Sequence, residues 1–123
     1  MLTAVITKLK TGSIPTVIAK GDPIKNALSA YVVVWEDVRL VTGNGQATGG
    51  IMVACHNIRG TQDDINNYME GEVVTLLHEI ILTDVSGNKF RLQDTGELSV
   101  FVENDDNTLS RDRLFSLPKL GAT

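Results

Sequence analysis

Tyr31-Val32-Val33-Val34-Trp35 is the stretch on which the fold turns: five strand-favouring residues in a row, with no polar residue to mark a solvent side. A strand that alternates apolar and polar residues buries one face, whereas an unbroken run has two faces to cover. Either both faces lie inside the domain, or one packs in the domain and the other is covered by a partner. Strand character continues through Val38, Leu40 and Val41, then gives way to TGNGQATGG at residues 42–50. Four glycines among small polar residues bury too little apolar surface to offset their ordering entropy, so this segment is expected to be a mobile loop. IMVACHNI, residues 51–58, returns as the second strand of a long antiparallel hairpin with a flexible tip.

The hairpin is followed by a helical pattern. Thr61 with Asp64 three residues on has the form of a capping box, and Asp63 and Asp64 suit the positive end of the helix dipole. Ile65, Met69, Val73, Leu76, Leu77, Ile80 and Ile81 then recur at helical spacing, which predicts one long helix over about residues 61–83 with Gly71 as its weak point. Nearer the N-terminus, Leu2, Val5, Ile6 and Leu9 fall on one face of a short helix over about 2–11. Gly12-Ser13 and Ile14-Pro15 end it, since the residue before proline is pushed out of the α region. TVIA at 16–19 reads as a brief strand, and Gly21-Asp22-Pro23 as a turn.

Beyond the long helix, Ser86-Gly87-Asn88 is a turn, residues 89–92 a short extended piece, and Leu98–Val102 a strand. An acidic loop at 103–107 leads to the last strand, Arg113–Leu117, stopped by Pro118. The expected fold is α+β: a mostly antiparallel sheet packed by one long helix (about 61–83) plus a short N-terminal helix, in a single domain over 1–123.

Composition agrees with one core. At 123 residues, 42% hydrophobic and 21% charged, the chain is long enough to bury most of its unfolded surface but too short for two ordinary domains. No stretch approaches the ~20 apolar residues that span a bilayer. The opening MLTAVITKLK interrupts its apolar positions with Thr and Lys, unlike a signal-peptide core. A protein made or assembled in the cytosol is therefore expected, with no membrane partner. Eleven Lys and Arg against 15 Asp and Glu leave no chain-wide basic footprint for nucleic acid. The single cysteine, Cys55, cannot form an intrachain disulfide and reads as a small buried hydrophobe.

No motif carries a reaction. Cys55 and His56 are neighbours on a predicted strand, so their side chains point to opposite faces and cannot pair as nucleophile and base. His78-Glu79 lacks the second histidine of an HExxH zinc site, because Leu82 stands at that position. The carboxylate pairs Glu36-Asp37, Asp63-Asp64 and Asp105-Asp106 are explained by a turn, a helix start and an exposed loop. Residues 103–107 lack the ligand spacing of an EF-hand. The glycine segment has no Gly-Lys-Ser/Thr and runs into a strand, unlike a phosphate-binding loop. The six aromatic residues are too scattered for a base-stacking platform, and core packing is their default role. No catalytic, cofactor-binding or metal-binding residue is assigned, and no cofactor is expected.

The order of elements carries a resemblance. A short opening helix (MLTAVITKLK), a hydrophobic strand after a Pro-containing segment (AYVVVW), a Gly-rich excursion, a returning strand, one long helix and closing strands with a late RDRLFSL together resemble the tail terminator or tail completion proteins of long-tailed bacteriophages. The resemblance covers nearly the whole chain and rests on element order, since the family has no specific sequence signature. It implies an α+β fold and a homo-oligomeric ring, usually a hexamer. Such a ring caps the tail tube protein and offers head-completion and connector proteins a docking surface, so the chain is expected in the tail or neck of a virion assembled in the host cytoplasm.

A ring joins one patch to a different patch of the neighbouring copy. The candidates for that interface are Tyr31, Val33 and Trp35 with Arg39, Arg59 and Arg111, the arginines facing acidic partners at 103–106. Gly43, Asn44, Gly45, Gln46 and Gly49 are the candidate mobile contact loop. A net charge of −4 suits a channel through which DNA passes without specific binding. Two alternatives stand beside this reading. One is another phage connector, a head-closure or neck protein or a tail tube subunit. The other is a small ligand-binding α+β domain, which would show a pocket of converging polar groups and a shifted pKa near His56 or His78.

Overall fold

The computed structural model describes residues 2–13, 16–21, 30–40, 47–58, 61–104 and 108–120. Its elements, in chain order, are α1 (Leu2–Leu9), β1 (Val17–Ala19), β2 (Ala30–Leu40), β3 (Ala47–Ile58), α2 (Gln62–Tyr68), a π-helical segment (Met69–Val74), α3 (Thr75–Leu77), β4 (Ile81–Thr83), β5 (Lys89–Arg91), β6 (Gln93–Leu98), β7 (Val102–Glu103) and β8 (Thr108–Ser116). The main sheet has six strands in the order β1-β2-β3-β8-β6, with β7 also on β8. All pairs in it are antiparallel except β1 with β2, where Val17 lies opposite Val32. A separate two-stranded sheet joins β4 to β5. The fold is α+β with a mostly antiparallel sheet, as the sequence predicts.

Both helical regions lie on one side of this sheet. Val5 and Leu9 of α1 and Ile65, Met69, Val73 and Leu77 of the second helix meet Val32 and Val34 of β2, Ile51, Val53 and Cys55 of β3, and Phe115 of β8. All but Val32, Met69 and Cys55 in this set are fully buried, and those three are at most 3% exposed. Apolar burial on this scale contributes ~25 cal/mol per Å², and it holds the two layers together.

The second helix departs from expectation in length and in pitch. It begins as predicted: the Thr61 side chain accepts from the Asp64 N–H, and the Asp64 carboxylate accepts from the Thr61 N–H. It then runs unbroken to Leu77 rather than to residue 83. The buried positions 65, 69, 73 and 77 repeat at a strict spacing of four. In an ideal α-helix of ~3.6 residues per turn, each step of four overshoots by ~40°, so four such positions drift by ~120°. The wider π turn at Met69–Val74 absorbs that drift and keeps all four side chains on the sheet.

After Leu77 the chain leaves the helix through extended His78 and left-handed Glu79 (φ 69°). The Glu79 N–H donates to the Leu92 carbonyl at 2.7 Å, and the Leu92 N–H donates to that of Ile80 at 2.9 Å. Ile81–Thr83 is thereby a strand, not the end of a helix. The β4–β5 turn is held by the Asp84 carboxylate, which accepts from the Ser86 and Asn88 N–H groups, and by Gly87 at φ 86°.

Three further boundaries move. Leu98–Val102 is not one strand: β6 ends at Leu98, residues 99–101 break the ladder, and β7 resumes at Val102. Ser99 occupies the break, with its Oγ accepting from the Asp112 N–H and its carbonyl accepting from Arg111 Nε. The last strand starts at Thr108, ahead of the expected Arg113. Of the expected loop 42–50, Ala47–Gly50 belong to β3, with Gly49 opposite Val38, and 42–46 lie outside the described residues. Gly12 sits where α1 meets the second helix, and a Cβ there would displace the ends of the Glu72 and Leu76 side chains. The Ser13 hydroxyl and N–H both donate to that carboxylate and hold its pKa below the usual glutamate value.

Candidate interaction face

The pleat of β2 sends Val32 and Val34 toward the helices and Tyr31, Val33 and Trp35 to the opposite side. Register extends that face across the sheet. Tyr31, His56 and Ser110 form one cross-strand row; Val33, Ala54 and Asp112 form the next; Trp35, Met52 and Leu114 form the third. Tyr31 is 2% exposed and stacks on the His56 ring at 4.4 Å between centroids, with 12° between planes. Val33, Trp35 and Met52 are only half-buried, and the described helices pack on the opposite side of the sheet. Among the described residues the helices therefore cover one face only; on the other, Tyr31, Ala54, Ser110 and Leu114 are buried while Val33, Trp35 and Met52 leave an open patch.

A hollow of about 340 Å³ sits in this open face, bounded by Lys20, Trp35, Tyr31, His56, Asn104 and Asp112 among others. Asn104 ties down one rim: its Nδ2 donates to the Thr108 hydroxyl at 3.1 Å and to the Ser110 hydroxyl at 2.9 Å. His56 Nδ1 lies 3.1 Å from the Thr108 hydroxyl. At the other rim, Lys20 Nζ stands 4.7 Å from the Trp35 ring centroid. Desolvation raises the pKa of Asp112 above the usual aspartate value, and the charges of His56 and Lys20 oppose that rise. On the helix side of β3, burial and then the nearby Asp112 charge push the Cys55 thiol up to about 12. Cys55 and His56 do point to opposite faces, so the thiol is walled off from the imidazole.

Ser110, His56 and Asp112 share the face, which invites comparison with a nucleophile, base and orienting acid. A relay of that kind needs the serine bonded to the imidazole and the imidazole bonded to the acid. Here the Ser110 hydroxyl accepts from Asn104 and the imidazole Nδ1 is engaged with Thr108. Among the described residues no group of three or more His, Cys, Asp and Glu could hold a metal ion. Nor is any described helix long and apolar enough to cross a membrane.

The expected interface residues are thus divided. Tyr31, Val33 and Trp35 share the open face. Arg39 is placed on β2 opposite Thr48, in the distal part of the hairpin. Arg111 lies on the helix side of β8, half-buried and not exposed. Its Nε donates to the Ser99 carbonyl at 2.8 Å, its NH1 to Asn66 at 3.1 Å, and its guanidinium stacks 4.6 Å from the Phe101 ring centroid. Arg59 lies outside the described residues, as do Gly43, Asn44, Gly45 and Gln46; Gly49 is a strand residue. His78 caps the end of the helix, with its ring nitrogen accepting from the Asp94 N–H at 3.2 Å.

Sequence reasoning overlooked Asp112, Asn104, Lys20 and Met52 as members of this face. The signal for Asp112 and Met52 was present, because once β2, β3 and β8 are aligned, alternation assigns every side chain to a side. That for Lys20 was absent, since it depends on β1 pairing in parallel with β2. Compared with known proteins, the chain is matched by no family model and by no curated protein.

Proposed function

We propose that this chain is a ring-forming structural protein of the tail-terminator type, which joins copies of itself through the open sheet face and caps a tail tube where head-completion proteins dock. The observation that carries the reading is the two-sidedness of β2. Its apolar run continues on a face that the described helices do not cover, with Val33, Trp35 and Met52 half-buried there. The edge of β2 supports the same view. β1 pairs only with Val32–Val34, and among the described residues no strand pairs that edge beyond them. An edge that no described strand pairs, next to a partly covered apolar face, is a template for a second chain. The net charge of −4 suits a ring whose lumen passes DNA without holding it.

The test is the mass of the purified protein by light scattering across a concentration series, repeated with tail tubes present. A closed ring, or a monomer that becomes a ring only at tube ends, supports the proposal. A monomer at every concentration that ignores tubes overturns it. One observation favours a second reading, that of a small ligand-binding domain: the hollow beside His56 brings polar groups together around Asp112, whose pKa is displaced upward.

A further inference from the structure

We infer that the hollow on the open face is a slot for the arginine guanidinium of a partner polypeptide, and that Lys20 holds a cation at its rim, over Trp35, in the isolated chain. The inference deepens the reading of this face as a protein-contact surface and rests on it. Lys20 is the first residue after β1, with Gly21 behind it at φ 94° and its ammonium over the Trp35 ring. The rim of the hollow thus already carries a cation on the Trp35 ring, supplied by its own chain. At an exposed site such a contact is worth only ~0.5–1 kcal/mol, so it is exchangeable.

Asp112 supplies the charge complement. It is half-buried on the same wall, and among the described residues no donor is hydrogen-bonded to its carboxylate. A carboxylate partly withdrawn from water gains most from a donor that brings both charge and two aligned N–H groups, which is what a guanidinium offers. The planar guanidinium also stacks on indole better than an ammonium does. Arginine from a partner is therefore a better occupant than the tethered lysine. Trp35 and Asp112 lie on different strands, in neighbouring rows of the face, so a basic side chain entering between them also fixes the register of the incoming chain.

Trp35 is the sole tryptophan, so its fluorescence reads the slot directly. The probe is the peptide acetyl-Gly-Arg-Gly-amide, titrated against the full chain, with the citrulline peptide as its uncharged counterpart. The arginine peptide is expected to give a saturable change and the citrulline peptide none. Lys20→Met should tighten the arginine peptide by about two- to fivefold, the factor that an exposed cation–π contact represents. Asp112→Asn should abolish the response while leaving the circular dichroism spectrum unchanged. Equal binding of the citrulline peptide, or unchanged or weaker binding by Lys20→Met, overturns the inference. Should Asp112→Asn fail to fold, the exposed Lys20→Met still decides. The two proposals fail separately when the peptide is titrated at a dilution where light scattering shows monomer: a monomer that binds no peptide yet closes into a ring at higher concentration or on tube ends removes the slot alone, and a peptide-binding chain that stays monomeric throughout removes the ring alone.

Discussion

The two faces of the central sheet are made by the same strands and treated in opposite ways. Toward the helices, Val34, Val53 and Ile51 are fully buried and the layer between sheet and helices is closed. Away from the helices, the interleaved Val33, Met52 and Trp35 stay half-exposed, and a hollow opens among them. Residue type does not distinguish the faces, since both are apolar along β2. What distinguishes them is that the described helices all pack on one, and an apolar patch left on the other has the character of a contact surface.

The sharpest way to break this comparison is to put the same charge on each face. Val34→Asp buries an unpaired carboxylate and should cost at least ~4 kcal/mol, enough to abolish the cooperative thermal transition of a marginally stable domain. Val33→Asp should keep that transition and lose self-association by light scattering. Equal unfolding by both would show that the open face belongs to the core.

A second effect falls on a charge that the helix side already accommodates. Arg113, 6% exposed, reaches from β8 to Asp94 of β6 and to Glu70 of the π segment. Arg113→Ala leaves Asp94 half-buried beside an empty place. Breaking a buried pair costs ~3–5 kcal/mol, and because the Glu70 side chain is 60% exposed we expect about 2–3 kcal/mol by urea unfolding. The pH dependence fixes the sign. Its bond to Arg113 holds Asp94 below the usual aspartate value, so its contribution is complete at neutral pH and is lost as pH falls through the folded value. The difference between wild type and Arg113→Ala should therefore narrow below about pH 4.

Smaller effects sharpen the account of the helix that closes the first face. Thr61→Ala removes the reciprocal cap and should cost about 1 kcal/mol, read as a lower urea midpoint. Gly71 is exposed within the π segment, and a Cβ there meets nothing within 4 Å. Gly71→Ala should raise stability by roughly 0.5–1 kcal/mol. A loss instead would mean that the π turn needs glycine for its geometry.

Much of this layout was legible in the sequence. α1, the Thr61 cap, β1 and the β2–β3 hairpin follow from local pattern, because each is specified by residues within a turn or two. The end of the second helix was not. Ile80 and Ile81 continue the helical spacing, and only pairing with residues 89–92, a non-local event, draws them into β4. The start of β8 was hidden for a different reason. Thr108, Ser110 and Arg113 are polar yet buried, and their burial is offset by partners on other elements. The π turn did leave a trace in the four-residue spacing from Ile65 to Leu77, which no ideal α-helix keeps on one face. Of the contact face, Tyr31, Val33 and Trp35 were legible by alternation. The hollow was not, because its walls come from four strands whose register is set only by folding.

One feature also turns the protein into its own clock. Cys55, the single cysteine, lies in the closed layer with its thiol pushed up to about 12, so neither access nor ionisation allows it to react in the folded chain. An alkylating reagent can modify it only during excursions that part the sheet from the helices. The labelling rate then counts those openings second by second, and any binding event that slows the count has tightened the whole domain rather than covered a patch of it.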